Sequence, residues 1–443
     1  MNIERHKMLT ETPIPQLIVK LSIPTIISML VTGIYNSADT YFVGRISTEA
    51  TAAVGVVFSV MAIIQAMGFF CGQGSGNYLS RLLGAGNMKK ANEIAATGFA
   101  MALLLGSIVA IIGNLNVHSI ASMIGASEAS MNDTIAYLRI ILLGAPFMMG
   151  QFVINNQLRF QGSAMYAMVG LLCGAVMNIG LDPLLMFGFG LGIKGAAIAT
   201  VAGQMTSFIA LLIGSSKGEN IRLSVMNVRL NIHNILEICN GGLPSLIRQG
   251  MAAIATVLLN RVALAYGGDA AIAGMSIVTR ILMMLSSVLI GFGQGYQPVC
   301  SYNYGAGRYD RVKEGFWFCL KYGTIMMTIA AIICIIPSSL IVAWFRNDPE
   351  VVAVGSRALR WQASVLPLLA LSTLTNMMLQ ATGKGLQASI TSSARNGLFF
   401  IPLILILPRI LGLTGVVMTQ AIADICTVCL CIPIVAKELR KME

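Results

Sequence analysis

The amino-acid sequence predicts an all-α membrane protein of twelve transmembrane helices, arranged as two pseudo-symmetric bundles of six. Three observations carry that expectation. The 443 residues are 56% hydrophobic and only 11% charged, where a soluble domain carries about 25% charged residues. Twelve apolar stretches separated by turn or charge signals lie near 17–43, 52–79, 92–116, 134–157, 164–188, 193–214, 234–259, 270–299, 316–343, 353–379, 388–408 and 413–436. A helical crossing of a bilayer needs roughly 20 predominantly apolar residues. Finally, the chain repeats itself. Residues 72–93 read GQGSGNYLSRLLGAGNMKKANE and residues 293–314 read GQGYQPVCSYNYGAGRYDRVKE, so Gln73, Gly74, the Gly84–Ala85–Gly86 turn and Glu93 recur 221 positions later.

The first stretch is too long for a signal-peptide core and lacks a small-residue cleavage site, so it is read as a retained span. Pro24 within it has no N–H and clashes with the preceding turn, which predicts a bend. Asp39 places a carboxylate in the same apolar helix, where charge is costly and usually functional. The plain alternative is an acid solvated at the helix end. Gly, Ser, Ala, Asn and Gln recur through the spans, as they do where helices pack closely or line a cavity. The same register of 221 pairs Leu138–Arg139 with Leu359–Arg360, Pro146 with Pro367, Asn155 with Asn376 and Gly162 with Gly383. Six is even, so both halves run in the same direction, as parallel repeats about an axis along the membrane normal. Residues 1–214 form the first lobe, the polar stretch 215–232 a linker and 233–443 the second lobe.

The net charge of +11 is a topology signal and no argument for nucleic acid. Lys and Arg crowd alternate loops, at Arg81, Lys89 and Lys90, at Lys217, Arg222 and Arg229, and at Arg308, Arg311 and Lys313. By the positive-inside rule those loops and both termini are cytoplasmic. The nine cysteines are scattered through apolar stretches. Cys426, Cys429 and Cys431 have a metal-like spacing but no nearby His, which favours packed thiols. No GxGxxG, P-loop or nucleophile–base pair is present.

Of the 18 Asp and Glu, three lie well inside apolar spans: Asp39, Asp182 and Asp424. The second lobe carries Asn260 at the register of Asp39 and, where the offset becomes 220 as for Gly192 with Gly412, Pro402 at that of Asp182, so the acid pair exists on one side only. Asn178 and Asp182 are four apart and share a helix face. Pro183 loosens the backbone hydrogen bonding beside them, and Thr200 on the next span adds a hydroxyl. Two carboxylates, an amide oxygen and a hydroxyl suit Na⁺. Two close carboxylates in a dry site also hold a proton between them. Asn178 and Thr200 can equally be interhelical hydrogen-bonding groups. Asp424 stands with Gln420 and either joins the cleft or pairs with Arg395 or Arg280; Arg248 and Arg280 read as paired or snorkelling. Tyr35, Asn36, Tyr137 and Asn155 are candidates to line the cleft. Among the 27 methionines, Met61, Met67, Met148, Met149, Met283 and Met284 suit promiscuous apolar binding collectively, and core filling individually.

These residues resemble the multidrug and toxic compound extrusion (MATE) family, in its DinF-like, MepA-like branch. The resemblance rests on IP…YNSADTYFVGR in the first span, the QG…GAG turn in both halves, and NIGLDPLLMFGFGLGIKGAAIAT. It implies that Asp39, Asn178, Asp182 and Thr200 form the first-lobe cation site, that Tyr137 and Asn155 are polar positions near it, and that Pro24 is the bending proline. The NorM-like branch has acids on the first and fourth helices of the second lobe; here those helices carry only Glu237, near its start, which assigns coupling to the first lobe. The resemblance further implies a monomeric antiporter of the cell (inner) membrane, surrounded by lipid. It exports amphipathic, often cationic compounds against H⁺ or Na⁺ by alternating access. No cofactor and no metal other than Na⁺ is expected.

Two competing functions remain open from the sequence. A lipid-linked oligosaccharide flippase of the same superfamily needs cations for pyrophosphate, and Arg248, Arg280 and Arg395 are candidates. A membrane-embedded enzyme has no motif in its favour.

Overall fold

The computed structural model describes residues 3–442, with the side chains of residues 3, 34–38, 40 and 48 outside the described set. Among the described residues the regular structure is all helical, because every backbone N–H and C=O in a bilayer must be satisfied within its own segment or a closed barrel. A short helix, α1 (Ile3–Glu11), precedes the first span, α2 (Ile14–Val43). Then come α3 (Thr48–Gly84), α4 (Met88–Leu115), the short α5 (Val117–Met123), α6 (Met131–Phe160), α7 (Ala164–Pro183) and α8 (Gly192–Ser216). The second half holds α9 (Ile232–Gly305), α10 (Tyr309–Ile335), the short α11 (Ser338–Phe345), α12 (Pro349–Ser364), α13 (Leu366–Ala381), α14 (Gly385–Ser393), α15 (Phe400–Leu411) and α16 (Leu413–Arg440). Polar side chains start several of these helices: Ser47 accepts from the Ala50 N–H, Asn87 from Lys90 and Asn231 from Asn234. Such caps satisfy donors that the first helical turn leaves unpaired.

Several of the expected spans depart from single helices. The seventh and eighth join in the 74-residue α9, interrupted only at Gly268 with φ 62°. A left-handed φ of that kind is open to glycine without steric cost, so one residue reverses the chain. The tenth span is α12 followed by α13, bent by 54°. Pro367 explains the break, since it supplies no N–H to continue the hydrogen-bond ladder and its ring crowds the preceding turn, so a new helix starts beside it. Its repeat mate Pro146 lies inside the unbroken α6. The eleventh span widens into a π-helical turn at Ala394–Leu398 between α14 and α15. In the first span the helix is continuous through Pro24, whose carbonyl accepts from Ser28 at 2.8 Å.

The buried apolar residues fall into separate cores. One cluster lies wholly within the first six spans, around Ile64, Tyr137, Leu142 and Met149. Another lies wholly within the last six, around Met275, Leu359, Phe400 and Val417. A third is shared, with Leu9, Leu17, Leu79, Tyr296, Phe316, Met378 and Leu439. Its members come from helix ends on the side that carries both termini. The two halves are therefore joined at that end and, among the described residues, share no core cluster at the other. Large apolar side chains such as Ile63, Ile111, Val176, Ile209 and Ile332 are more than half or about half exposed on the outside. An apolar surface of this extent belongs in lipid. Met61, Met148 and Met149 fill the core, while Met283 and Met284 are exposed.

Polar ties close the terminus-bearing end. Ser22 donates to the Phe292 carbonyl at 3.1 Å, Arg81 pairs with Glu237 at 3.6 Å and Lys90 meets His233 at 3.1 Å. The buried Arg159 of α6 reaches Asn156 beside it and Gln294 of the other half. Across this end lies α1. Arg5 donates to the Glu219 carbonyl, Ser163 and Asn220 at 2.9–3.0 Å, while His6 meets the Tyr302 hydroxyl at 2.8 Å. The Leu9 and Thr12 carbonyls accept from Asn303 and Arg311. Burial pulls the Arg5 guanidinium below its ordinary value, an effect that Glu219 offsets in part. One short helix thus spans both halves and the linker.

Candidate functional site

The polar residues inside the first half gather where α2, α6, α7 and α8 pack against one another. Asn178 and Asp182 occupy the last two turns of α7, on its buried face, and are 3% and 0% exposed. Directly after Pro183 the backbone widens into a π-helical turn, Leu184–Gly188, before Gly190 and Gly192 turn the chain into α8 with positive φ. The proline supplies no N–H and the wide turn shifts the hydrogen-bond ladder, which is the loosening that its sequence position predicts. Thr200 faces the same region from α8. Its hydroxyl donates to the Ala196 carbonyl at 3.0 Å, leaving its lone pairs available.

Both carboxylate oxygens of Asp182 and both polar atoms of the Asn178 amide are buried with no hydrogen-bond partner among the described residues. One oxygen of Asp39 is in the same condition, and the Asp39 and Asp182 carboxylates lie within electrostatic reach of each other. Buried polar atoms are partnered in the great majority of cases, and exceptions of this kind cluster at functional sites. Four residues chosen from sequence therefore include three whose polar atoms are orphaned together. Hard oxygen donors without a neighbouring cation can hold Na⁺ or share a proton.

A cavity of ≈ 30 Å³ adjoins this group. Val31 and Thr32 line it from α2, Gln151 and Phe152 from α6, Asn178 from α7, and Thr200 and Gln204 from α8. Gln151 and Gln204 are site residues that sequence reasoning missed. The available signal was Thr200 and Gln204 at i and i+4, one face of one helix. Tyr137 is fully buried within the core of the first half. Asn155 donates to the Ala167 carbonyl at 3.0 Å, and its repeat mate Asn376 donates to Ala388 at 2.7 Å. A tie present in both halves serves the packing of consecutive helices, and the geometry does not bring Asn155 into the lining of this cavity. The side chains of Tyr35 and Asn36 lie outside the described residues.

In the second half, Asp424 receives Arg395 at 2.8 Å and Gln420 at 3.0 Å. It is a paired acid, with no orphaned atom among the described residues.

A sequence profile of the MatE family matches residues 24–184 and 244–406, most of both halves. Over 421 residues the chain is 29% identical to the multidrug export protein MepA of Staphylococcus haemolyticus, covering 95% of this chain and 92% of that one. With MepA of Staphylococcus aureus it shares 28% over 420 residues, at 94% and 92% coverage. Among solved structures, a MOP superfamily transporter from Pyrococcus furiosus superposes with a TM-score of 0.93 at 24% identity, covering 100% of this chain and 99% of that one. A MATE transporter in its straight conformation gives 0.93 at 25% identity, with the same coverage. Sequence similarity along both repeats and backbone similarity along the whole length agree with the duplicated twelve-span architecture, and the chain belongs to the MatE family of multidrug and toxic compound extrusion transporters.

Proposed function

We propose that this chain exports amphipathic and cationic small molecules from the cell by antiport, with H⁺ or Na⁺ moving inward through the Asp39–Asp182 site. It is a multidrug efflux transporter of the MepA-like branch and carries out no covalent chemistry. The observation that supports the coupling site is the acid pair confined to one half of a duplicated scaffold, in which both Asp182 oxygens and one of Asp39 are buried with no partner among the described residues. A fold-stabilising pair would be expected in both halves. Burying unpaired carboxylates is costly, and an incoming ion removes that cost. The terminus-bearing, basic end is cytoplasmic, so the end at which the halves share no core faces outward. In that state the acids load from outside. The loaded ion alters the packing of α2, with Pro24 as its hinge, and substrate leaves. Rocking of the two lobes then exposes the site and cleft to the cytoplasm. The transporter acts as a monomer within the membrane.

The flippase reading is not favoured, since the relatives are exporters and Arg395, one of its three cations, is taken by Asp424. Efflux of cationic dyes from proteoliposomes under an imposed pH gradient, and separately an imposed Na⁺ gradient, tests the proposal. Wild-type efflux should follow one gradient. Asp39→Asn should insert normally and lose about ten-fold or more of that gradient-driven rate, the scale of a typical coupling free energy. Undiminished gradient-driven efflux by Asp39→Asn would overturn the coupling role.

A further inference from the structure

We infer that the chamber between Gln151, Asn178 and Gln204 is a binding site for one or two ordered water molecules, which hydrate the coupling ion at Asp182. Three amide side chains, each at least 94% buried, turn orphaned polar atoms toward one small space: Oε1 of Gln151, Oδ1 and Nδ2 of Asn178, and Nε2 of Gln204. Amide oxygen and nitrogen positions are interchangeable by rotation, but each amide brings a donor group and an acceptor either way. The threonines on the wall add acceptors alone. Thr32 and Thr200 already donate to the Ser28 and Ala196 carbonyls.

The size and the chemistry select the occupant. A volume of ≈ 30 Å³ exceeds the roughly 10–15 Å³ that one water requires, and it is far below the space needed for a drug. A bare cation would face the amide N–H groups, and an anion would face the carbonyl and hydroxyl oxygens. Water donates and accepts, and it needs two to four polar partners of the kind these amides supply. Asn178 belongs both to this chamber and to the group around Asp182, one helical turn away. Water held by Gln151 and Gln204 therefore reaches the carboxylates through Asn178 and Thr200. Gln151 and Gln204 are on this account positioning residues for the coupling ion. That second step rests on the coupling role proposed for Asp39 and Asp182, whereas the water site does not.

Radiolytic hydroxyl footprinting of the full-length protein in lipid nanodiscs tests the water site, because buried bound water labels the side chains beside it. Phe152 lines the chamber and is 9% exposed, while Phe160 further along the same helix is 1% exposed and serves as the dry reference. Phe152 should be oxidised several-fold faster than Phe160 in the wild type, and the Gln151→Leu/Gln204→Leu double variant should lose that excess. Equal labelling of the two phenylalanines in the wild type, or an excess that survives the double variant, would overturn the water site. In proteoliposomes, Gln204→Leu should raise the concentration of driving ion needed for half-maximal efflux by about ten-fold, the weight of one lost hydrogen bond. Gln204→Asn, which keeps the amide, should restore most of it. If Gln204→Leu leaves that concentration unchanged while Asp39→Asn abolishes coupling, the positioning role fails and the coupling reading stands. If Asp39→Asn leaves coupling intact, the coupling reading fails while the footprint still decides the water site.

Discussion

Asp182 and Asp424 are both buried acids on apolar helices, and their surroundings set them apart. Asp424 is 3% exposed at its side chain and held by Arg395, itself 32% exposed, with Gln420 as a second donor. Asp182 has neither kind of partner among the described residues. Removing one member of a buried pair leaves the other charge uncompensated, which destabilises more than the pair itself contributes. Arg395→Ala should therefore cost about 1–3 kcal/mol, reduced from the fully buried case because Arg395 reaches solvent or headgroups. Thermal unfolding followed by size-exclusion chromatography reads that loss. Asp424→Asn should melt earlier but keep gradient-driven efflux. Loss of coupling in Asp424→Asn with an unchanged melting temperature would instead place Asp424 on the ion path. Asn155 and Asn376 make a parallel case: their identical ties to residues twelve positions on mark them as repeated packing groups.

At the level of elements, α1 does work that its composition does not announce. It is short and mostly polar, yet it bridges both halves and the linker through Arg5, His6, and the Leu9 and Thr12 carbonyls. Cys300 lies beneath it in the shared core, fully buried and two residues from Tyr302. The double variant Arg5→Ala/Tyr302→Phe removes the side-chain ties on both sides. It should speed alkylation of Cys300 by a membrane-permeant maleimide by about five-fold, the consequence of losing hydrogen bonds that contribute about 1 kcal/mol in total. Mass spectrometry of the labelled peptide reads the rate. An unchanged rate would mean that the apolar core alone keeps this end closed.

For the whole molecule, one pair of close backbone approaches between the halves repeats the internal symmetry. Gly84 packs on the Tyr302 carbonyl and Gly305 on the Arg81 carbonyl, and these are the same pair of positions exchanged between the repeats. A methyl group at either glycine would collide with backbone, so the halves must separate there or shift. Gly84→Ala/Gly305→Ala should therefore push the population away from the state closed at the terminus-bearing end. Met123 on α5 and Trp344 on α11 are also repeat mates, 86% and 88% exposed at the opposite end. Spin labels at those two positions should show a shorter mean distance in the double variant than in the glycine background, as one end opens and the other closes. No change in that distance would place the hinge elsewhere.

Much of this was legible in the chain itself. Twelve spans, a parallel repeat at 221 residues and an acid pair restricted to one half follow from hydropathy, spacing and charge, all of which are local or periodic properties. The joining of two spans at Gly268, the break before Pro367 and the persistence of α6 through Pro146 did not follow. A proline or glycine permits a kink, and the packing around it decides whether one forms. The identity of the acids was likewise legible, but their condition was not. Whether Asp182 is orphaned, Asp424 paired and Asn155 committed depends on atoms contributed by helices distant in sequence. Beyond the helix face that Gln204 shares with Thr200, nothing set Gln151 and Gln204 apart, for the same reason: an amide in an apolar span reads as ordinary interhelical hydrogen bonding until its neighbours are known. The sequence by itself determined the number and direction of the spans, the duplication and the one-sided charge, because lipid imposes those constraints on each segment independently. Only the tertiary structure decided which polar atoms lack partners and which end of the two halves is joined, because both are properties of contacts between segments.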